Sequence, residues 1–595
     1  MFGAGRLSQH VTTEMLNDDV LLSIFRHFLD GSSRLWPTLT HVCRSWRQII
    51  LGSPLGLHLR LYCTYGMPVR KSLYCWPPFP LVVSYGGSPM LGSPAPEDEE
   101  NIKAALEQSE RVHSITLTVT KSLLENLSTI SEPCSRLEEL DLLSRDNLQL
   151  TLPRAFLWNQ CLRTLKLTKI AIPTLPQLLS LSNGLVDLRL HEIPQVGYFS
   201  PGVFANALSG MTQLETLSFH HLTSPPHRNL VNLPLLPVKH VFLPSLANLK
   251  YRGTSKYLDS FVARIDAPLL RDIDITFFFQ PTMDASQLGQ FIERVEMQPS
   301  LSQGDILTST DAISISISEP GVRRRLALQI SCKELDWQLS SMLQICDHFS
   351  PFLSRVTNLG ITTQTTSGSD DMDHEKWAEL IHSFRGAVAF RTAGKYVADI
   401  LSSLSLDVGE SNVLPSLGML HVPELCSDNG ALRGSVESLT SSRRLSGHPV
   451  DVYDGKRFIC GVCHSSYTQR QGLNRHKKDK HSQRNPVCPL CKSYVWSPAR
   501  KYLFLRHLKK HHPGAALTDT HISDPALQNF TSSYSGTHGA EHHNLLVPDL
   551  PLYPDPEAKL PMLAFSTLEY PSSSLDDMAV PSPTSPHRAL SRWGT

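Results

Sequence analysis

The sequence is poor in the features that mark secreted and membrane proteins. Its 12 cysteines among 595 residues are too few for a disulfide scaffold. The first ten residues, MFGAGRLSQH, lack the apolar core of a signal peptide, and no apolar run approaches the roughly 20 residues that span a bilayer. We therefore expect a protein of the nucleus or cytoplasm that is not secreted and has no membrane segment.

Common catalytic signatures are also missing. The sequence contains no phosphate-binding glycine loop, no Gly-x-Ser-x-Gly elbow and no His-Glu-x-x-His metal helix. These absences argue against nucleotide-dependent, serine-hydrolase and metalloprotease chemistry. We expect that the chain is not an enzyme.

Charge is scarce and unevenly placed. Charged residues make up 18%, below the roughly 25% of ordinary globular chains, and the formal net charge is zero. Residues 456–512 nevertheless hold 14 lysines and arginines and a single acid, Asp479, so this segment carries +13 and the remainder −13. A basic block of this kind favours a polyanion or an acidic protein face, whereas the remainder does not attract nucleic acid.

Cysteine and histidine cluster inside the basic block. Cys460-x₂-Cys463-x₁₂-His476-x₄-His481 has the ligand types and spacing of a tetrahedral zinc site. An apolar core is expected from Phe458, Tyr467 and Leu473. This arrangement matches the C₂H₂ zinc-finger family, which implies a ββα finger at 456–484 that binds Zn²⁺ and needs the metal to fold.

A second, longer unit follows at 485–513. Cys488-x₂-Cys491-x₁₅-His507 supplies three ligands, and Phe504 takes the place of the apolar residue before the histidine. For the fourth ligand, the helical period favours His511, which lies four steps from His507. His512 stays open as an alternative because the first finger already uses a five-step pair.

The resemblance to DNA-binding fingers also suggests which side chains would face bases. The polar side chains at those helix positions are Gln469, Arg475, Arg500 and Arg506. Arginine can contact guanine, but two fingers specify roughly 6 base pairs at about 3 per finger. We expect weak, salt-sensitive binding of DNA or RNA rather than recognition of a unique address.

Apolar residues near the amino terminus follow a helical period. Leu16, Val20, Ile24 and Phe28 are spaced by four residues, and a second series runs from Leu35 to Ile50. Asn17 is a suitable N-cap, and Asp30-Gly31-Ser32-Ser33 supplies a turn. The pattern predicts a hairpin of two amphipathic helices within residues 12–62.

Between residues 100 and 450 a triplet of apolar residues recurs, with two residues and then one residue between its members. Successive triplets start 23 to 32 residues apart, close to the period of leucine-rich repeats, in which each unit forms a strand and a helix. Interruptions at 280–350 and 362–375 are expected insertions. The triplets begin at Val112, Leu137, Leu162, Leu185, Leu214, Leu246 and Leu270, with later echoes at Val356 and Leu417.

These segments predict an α/β fold: a leucine-rich-repeat-like solenoid with an N-terminal helical hairpin and C-terminal ββα zinc fingers. Residues 514–595 are rich in proline and serine and lack periodicity, so we expect a disordered tail.

The amino-terminal helices resemble an F-box, the short module that docks on the Skp linker of cullin ubiquitin ligases. The matching positions are Leu16, Val20, Ile24, Phe25 and, within Val-Cys-Arg-Ser-Trp-Arg, Trp46. Fungal F-box-like proteins with leucine-rich repeats are similar over about residues 12–450, and this family implies that the repeats bind a client protein. The family's usual proline after the first leucine is Asn17 here, and the alternative is that the helices cap the solenoid.

Two functional hypotheses result. The first is a non-catalytic adaptor that joins a Skp-type ligase linker to a protein client and carries accessory zinc fingers. The second is a nuclear, nucleic-acid-binding regulator of the C₂H₂ zinc-finger type.

Overall fold

The computed structural model describes residues 16–513, apart from a set of gaps. The predicted tail at 514–595, the start of the predicted F-box-like segment and the candidate base contact Arg500 lie outside the described residues. The gaps are residues 32, 87–94, 128–131, 150–155, 157–160, 173, 181, 222–239, 296–300, 322–323, 333–334, 365–372, 406, 409–410, 427–429, 482–487, 489 and 495–500.

In the part of the chain that the structure describes, the fold is mixed α/β and is built on a large, mostly parallel sheet of 18 strands. Two further pairs of short strands, β8–β10 and β17–β18, lie outside this sheet. The strands are β1 Leu61–Thr64, β2 Leu81–Tyr85, β3 Val112–Val119, β4 Glu139–Gln149, β5 Thr164–Ala171, β6 Asp187–Ile193, β7 Thr216–His221, β8 Val241–Phe242, β9 Asn248–Gly253, β10 Ile265–Asp266, β11 Asp272–Phe278, β12 Gln303–Thr308, β13 Ala312–Ser318, β14 Arg325–Ser331, β15 Asn358–Thr363, β16 Ala389–Gly394, β17 Asp407–Val408, β18 Ser411–Asn412, β19 Met419–His421, β20 Asp451–Tyr453, β21 Phe458–Ile459 and β22 Ser466–Tyr467.

Helices connect many of the strands, as parallel pairing requires a crossover connection. The helices are α1 Asp18–Gly31, α2 Trp36–Thr40, α3 Arg44–Gly52, α4 Val69–Cys75, α5 Pro96–Leu106, α6 Lys121–Leu127, α7 Leu175–Leu179, α8 Pro201–Ala207, α9 Ser255–Val262, α10 Ser286–Arg294, α11 Leu335–Leu353, α12 His374–His382, α13 Val397–Ser403, α14 Gly430–Leu445, α15 Arg470–Lys480 and α16 Lys501–His511.

One row of apolar side chains runs across the sheet and forms much of its core. The middle residue of every predicted triplet lies in this row, so the repeated pattern places equivalent residues side by side. We call this row the apolar ladder. From β1 to β9 its members are Cys63, Val83, Ile115, Leu140, Leu165, Leu188, Leu217 and Leu249. It continues through Ile273, Leu326, Ile317, Gly304, Leu359, Phe390, Leu420, Val452 and Ile459, with Gly304 as the one position in this list that has no side chain.

Alternation along each strand separates two faces of the sheet. In β11, for example, Ile273, Ile275 and Phe277 are buried while the residues between them are partly exposed. Successive side chains of a strand point to opposite faces, so the buried set packs on the helices and the polar set forms an open face.

The expected insertion at 280–350 contains three strands that join the sheet, between the helices α10 and α11. β12, β13 and β14 pair antiparallel with one another, β14 pairs with β11, and β12 pairs with β15. The sheet order is therefore β11-β14-β13-β12-β15 at this point. The triplet pattern does not predict β16, because the third position of its triplet is the buried Thr392 rather than an apolar residue.

The amino-terminal segment differs from the predicted two-helix hairpin. It contains three helices, α1, α2 and α3, because the segment around Pro37 forms a short helix of its own. The Asn17 side chain accepts a hydrogen bond from the Asp19 amide at 3.3 Å, which agrees with its expected capping role. Asn17 therefore begins α1 at the place where the F-box family usually has proline.

The chain divides into two compact units. The first comprises residues up to Cys488 together with Lys492–Phe504, and it holds every strand described above. The second comprises Pro489–Cys491 and the residues from Leu505 onward, and its described part is mainly the end of α16. Among the described residues, no helix combines the length and the apolar character needed to cross a membrane.

Candidate metal centres

The first Cys/His group lies where the last strands of the sheet meet a short basic helix. Cys460 and Cys463 lie in the turn between β21 and β22, His476 lies in α15, and His481 follows that helix directly. One ligand atom from each residue lies within 4.8 Å of the others. The structure thus brings together all four ligands of the first predicted finger, in the expected ββα order.

The spacing of these atoms suits zinc. Nε2 of His476 lies 3.1 Å from Sγ of Cys463 and 3.1 Å from Nε2 of His481. Nε2 of His481 lies 3.3 Å from Sγ of Cys463. Zn–S bonds near 2.3 Å and Zn–N bonds near 2.0 Å place neighbouring ligand atoms of a tetrahedral site roughly 3.3–3.6 Å apart. Four protein ligands of this kind form a closed, structural type of site.

The two thiols of this group differ in their surroundings. The Ser465 hydroxyl lies 3.2 Å from Sγ of Cys463 and, with the His481 and His476 rings, lowers the pKa of Cys463 to about 6. Cys460 is fully buried, and burial raises its pKa. Cys463 therefore offers a thiolate near neutral pH, whereas Cys460 must lose its proton when a metal binds.

The two Cys-x₂-Cys turns share two backbone features among their described residues. The residue after the second cysteine is left-handed in each, with φ of 59° at His464 and 54° at Lys492. Its amide donates to the carbonyl of the first cysteine, at 2.8 Å to Cys460 and 2.9 Å to Cys488. Nothing in the sequence predicts this left-handed conformation, because it usually favours glycine. The repetition indicates that both turns are shaped to present two thiols.

The second Cys/His group has a different fourth member from the one that the helical period favours. Ligand atoms of Cys488, Cys491, His507 and His512 lie within 4.8 Å of one another, and His511 is not among them. The helix α16 ends at His511, so the 100° step per residue no longer applies to His512. His481 likewise lies just past the end of α15. In both groups the last histidine reaches back from beyond the helix.

The small apolar core of the first finger is formed partly by residues of the finger and partly by residues of the sheet. Leu473 is fully buried, as expected, whereas Phe458 and Tyr467 keep part of their surface exposed. Phe458 stacks on Tyr453 of β20 at a ring distance of 4.4 Å. The finger therefore shares aromatic packing with the sheet, which the finger pattern alone did not predict.

Strand pairing joins the first finger to the sheet. β21 pairs antiparallel with β20, which places Ile459 beside Val452, the preceding residue of the apolar ladder. Ile459 is partly buried and packs against the main core. The residue next to the buried ligand Cys460 is thus the last member of the apolar ladder.

A glycine permits the close approach of the metal-binding turn to the sheet. A Cβ atom at Gly461 would lie 2.6 Å from the carbonyl carbon of Val450 and closer still to its oxygen. The Gly461 amide donates to Oδ1 of Asp451 at 3.1 Å. Any larger side chain at position 461 would push the turn away from β20.

Asp451 connects the finger helix to the same strand. Its side chain is 7% exposed, and Oδ2 lies 2.9 Å from Nζ of Lys477 in α15. On the other side of the turn, Nη1 of Arg444 lies 2.9 Å from Nε2 of His464. One lysine of the basic block is therefore engaged with the sheet rather than available to a polyanion.

The predicted base-contacting residues remain on the surface where they are described. Gln469 is the N-cap residue of α15, and Gln469, Arg475 and Arg506 are exposed. The structure brings none of them into the metal groups. Their exposed side chains are accessible to a charged partner.

The predicted partner-binding residues of the amino-terminal helices separate into two sets. Val20 and Ile24 are 46% and 48% exposed, whereas Phe25 is buried and contacts Trp46 at a ring distance of 4.7 Å. Leu16 and Trp46 pack partly against the core. The prediction that Phe25 contacts a partner directly is therefore corrected: Phe25 lies in the core.

The apolar series that predicted the first helix lies mostly on the exposed side of α1, and its last member, Phe28, was not among the predicted partner-binding residues. Phe28 is 47% exposed and lies one turn beyond Ile24. α1 thus has two apolar stripes, a buried one of Leu21, Phe25 and Leu29 and an open one of Val20, Ile24 and Phe28. We call the second set the open stripe.

No family model matches this chain, and the search of curated proteins found no match either.

Proposed function

We propose that the protein is a non-catalytic, zinc-stabilised adaptor, in which the amino-terminal helices dock on a Skp-type ligase linker and the open face of the sheet binds a client protein. The observation that carries this proposal is the open stripe, three large apolar side chains about half exposed on one helix. Contiguous exposed apolar surface of this kind marks protein–protein contact sites.

The apolar ladder supports the leucine-rich-repeat interpretation of the sheet. Triplets 23 to 32 residues apart place their middle residues in register on parallel strands, as the stacking of repeats requires. In such arrays the polar face of the sheet is a binding surface. The inserted strands β12–β14 make this array irregular.

The two stripes of α1 support both roles considered for the amino-terminal helices. The buried stripe and Trp36 close the first end of the sheet, with the Trp36 indole donating to the Arg60 carbonyl at 2.8 Å. The open stripe is left for a partner. Capping and docking are therefore compatible because they use different faces of one helix.

The first finger has a structural role in this proposal. It pairs with β20 and closes the last edge of the sheet, which would otherwise present unpaired backbone groups. Its four protein ligands also leave no open position for catalysis.

Affinity purification of the full chain with the Skp subunit of its native cell tests the adaptor function. The double variant Ile24→Asp/Phe28→Asp should abolish co-purification, because charge on the open stripe opposes burial. The matched control is Val203→Asp/Phe242→Asp, whose parent side chains are 46% and 60% exposed elsewhere in the chain. Failure of the wild-type chain to bind Skp, or equal loss in the control, would reject ligase docking.

Nucleic-acid binding is the second candidate function, favoured by the exposed Arg475 and Arg506 in the basic block. Selection from random DNA tests it. A recovered motif that is lost in Arg475→Ala would favour a regulator, whereas recovery of no motif would leave only salt-dependent, sequence-independent binding.

A further inference from the structure

The open face of the sheet carries a group of cations between β5 and β9. Register places Lys166, Arg189, Ser218 and Lys250 side by side on four neighbouring strands. Arg252 lies two residues beyond Lys250 and therefore on the same face. We call Lys166, Arg189, Lys250 and Arg252, with the histidines between them, the cationic patch.

Each of the two acidic residues on these strands lies close to a cation, one inside the cationic patch and one at its margin. Asp187 holds Arg189 at 2.9 Å, and Glu192 lies 3.4 Å from Lys169. Lys250 and Arg252 are exposed, and neither has an ion-pair partner among the residues that the structure describes. The patch therefore keeps an excess of positive charge on β9.

Two histidines form its centre. The rings of His191 and His220 stack at 4.3 Å with an angle of 6°, and their Nε2 atoms lie 2.9 and 3.4 Å from the Ser218 hydroxyl. Burial, with smaller contributions from His191, Arg252 and Lys250, lowers the pKa of His220 to about 3. The two stacked rings are therefore uncharged at neutral pH and form a flat surface between the cations of the patch.

Acidic residues limit the patch on both sides. Asp141 on β4 is the register partner of Lys166, and Asp274 on β11 is the register partner of Lys250. Four strands at a spacing of about 4.8 Å make the patch roughly 14 Å wide. A long phosphate backbone that crosses the sheet would meet these carboxylates, whereas a short acidic peptide fits between them.

We propose that the cationic patch binds a short acidic segment of the client protein, with its carboxylates on Lys250 and Arg252 and its chain over the His191–His220 pair. This inference deepens the proposed client-binding role of the sheet and rests on it. An extended segment of about five residues spans the patch.

A fluorescein-labelled hexaglutamate peptide, titrated into the full zinc-loaded chain and followed by anisotropy, tests the proposal. Lys250→Glu/Arg252→Glu should weaken binding at least tenfold, and Lys250→Gln/Arg252→Gln should weaken it less. The control Lys71→Glu/Lys121→Glu makes the same charge change on exposed helical residues and should stay within twofold. Equal weakening in control and patch variants would overturn the proposal.

A benzophenone-bearing form of the peptide locates the contact, because the basic fingers also attract acidic peptides. Cross-links should map to β6, β7 and β9, and cross-links confined to residues 456–512 would overturn the proposal.

The affinity of the chain for a 12-nucleotide single-stranded DNA should not change in Lys250→Glu/Arg252→Glu. If DNA loses more affinity than the peptide, the patch binds nucleic acid instead. Peptide binding without Skp binding would keep the patch and reject ligase docking.

Discussion

The two ends of the large sheet are closed by different physical means. At the first end, α1–α3 bury several large apolar side chains. Among them, Trp36 contacts Trp76 and Phe79 at ring distances of 4.8 and 5.2 Å. At the last end, the side chains of the first finger that the structure describes as fully buried are those of Leu473 and Cys460. Burial of apolar area can stabilise the first closure, whereas in our proposal the second, smaller closure depends on a bound metal.

Loss of zinc should produce the largest difference in stability between the two ends of the sheet. Chelation, or Cys463→Ser, removes a metal whose binding contributes roughly 10–16 kcal/mol in finger peptides. Hydrogen exchange should rise throughout β20, β21 and β22 and stay unchanged in α1–α3. Cys75→Ser, at an exposed cysteine outside both Cys/His groups, is the control. Unchanged exchange in β20 would mean that the finger does not hold the sheet edge.

Substitution of the final histidines sharpens the assignment of the second group. His512→Ala should lower bound zinc from two ions per chain to one, because a ligand is lost. His511→Ala should leave two, because His511 lies outside the group. Elemental analysis of the purified variants measures the ratio. The opposite result would return the fourth ligand to His511, as the helical period suggests.

A cavity at the first end of the sheet should destabilise that end without changing the zinc content of the protein. Trp36 is 1% exposed, and Trp36→Ala should destabilise the α1–α3 end by about 3–5 kcal/mol. Hydrogen exchange of α1 and β1 should rise while zinc content stays at two. Tyr74→Ala, at a side chain that is 93% exposed, is the control. Loss of zinc in Trp36→Ala would show that the two ends are coupled.

Two glycines of the first finger should respond in opposite directions. Gly461→Ala forces a clash with Val450 and should destabilise the docked turn by about 1–3 kcal/mol. Gly472→Ala meets Tyr467 at an ordinary 3.4 Å and should stabilise α15 by about 0.5–1 kcal/mol. The mid-point of chelator-induced unfolding ranks the variants. A neutral Gly461→Ala would contradict close docking on β20.

The regular parts of the molecule follow from local pattern. Spacing alone identified the four ligands of the first group, because a metal fixes residue type and distance along the chain together. The repeated triplet identified strands such as β5 and β6, because equivalent apolar residues must align in a parallel sheet. Where the pattern weakens, as at Thr392 of β16, the prediction failed.

The sequence by itself determined the ligand types, the alternation of the strands and the basic character of the last segment. Only the tertiary structure decided which stripe of α1 is buried, because both stripes are apolar and have the same period. It also decided that His512 joins the second group, because the helix ends one residue earlier. The docking of the first finger on β20 depends on Asp451, Gly461 and Val450, whose contacts form only when the sheet is complete.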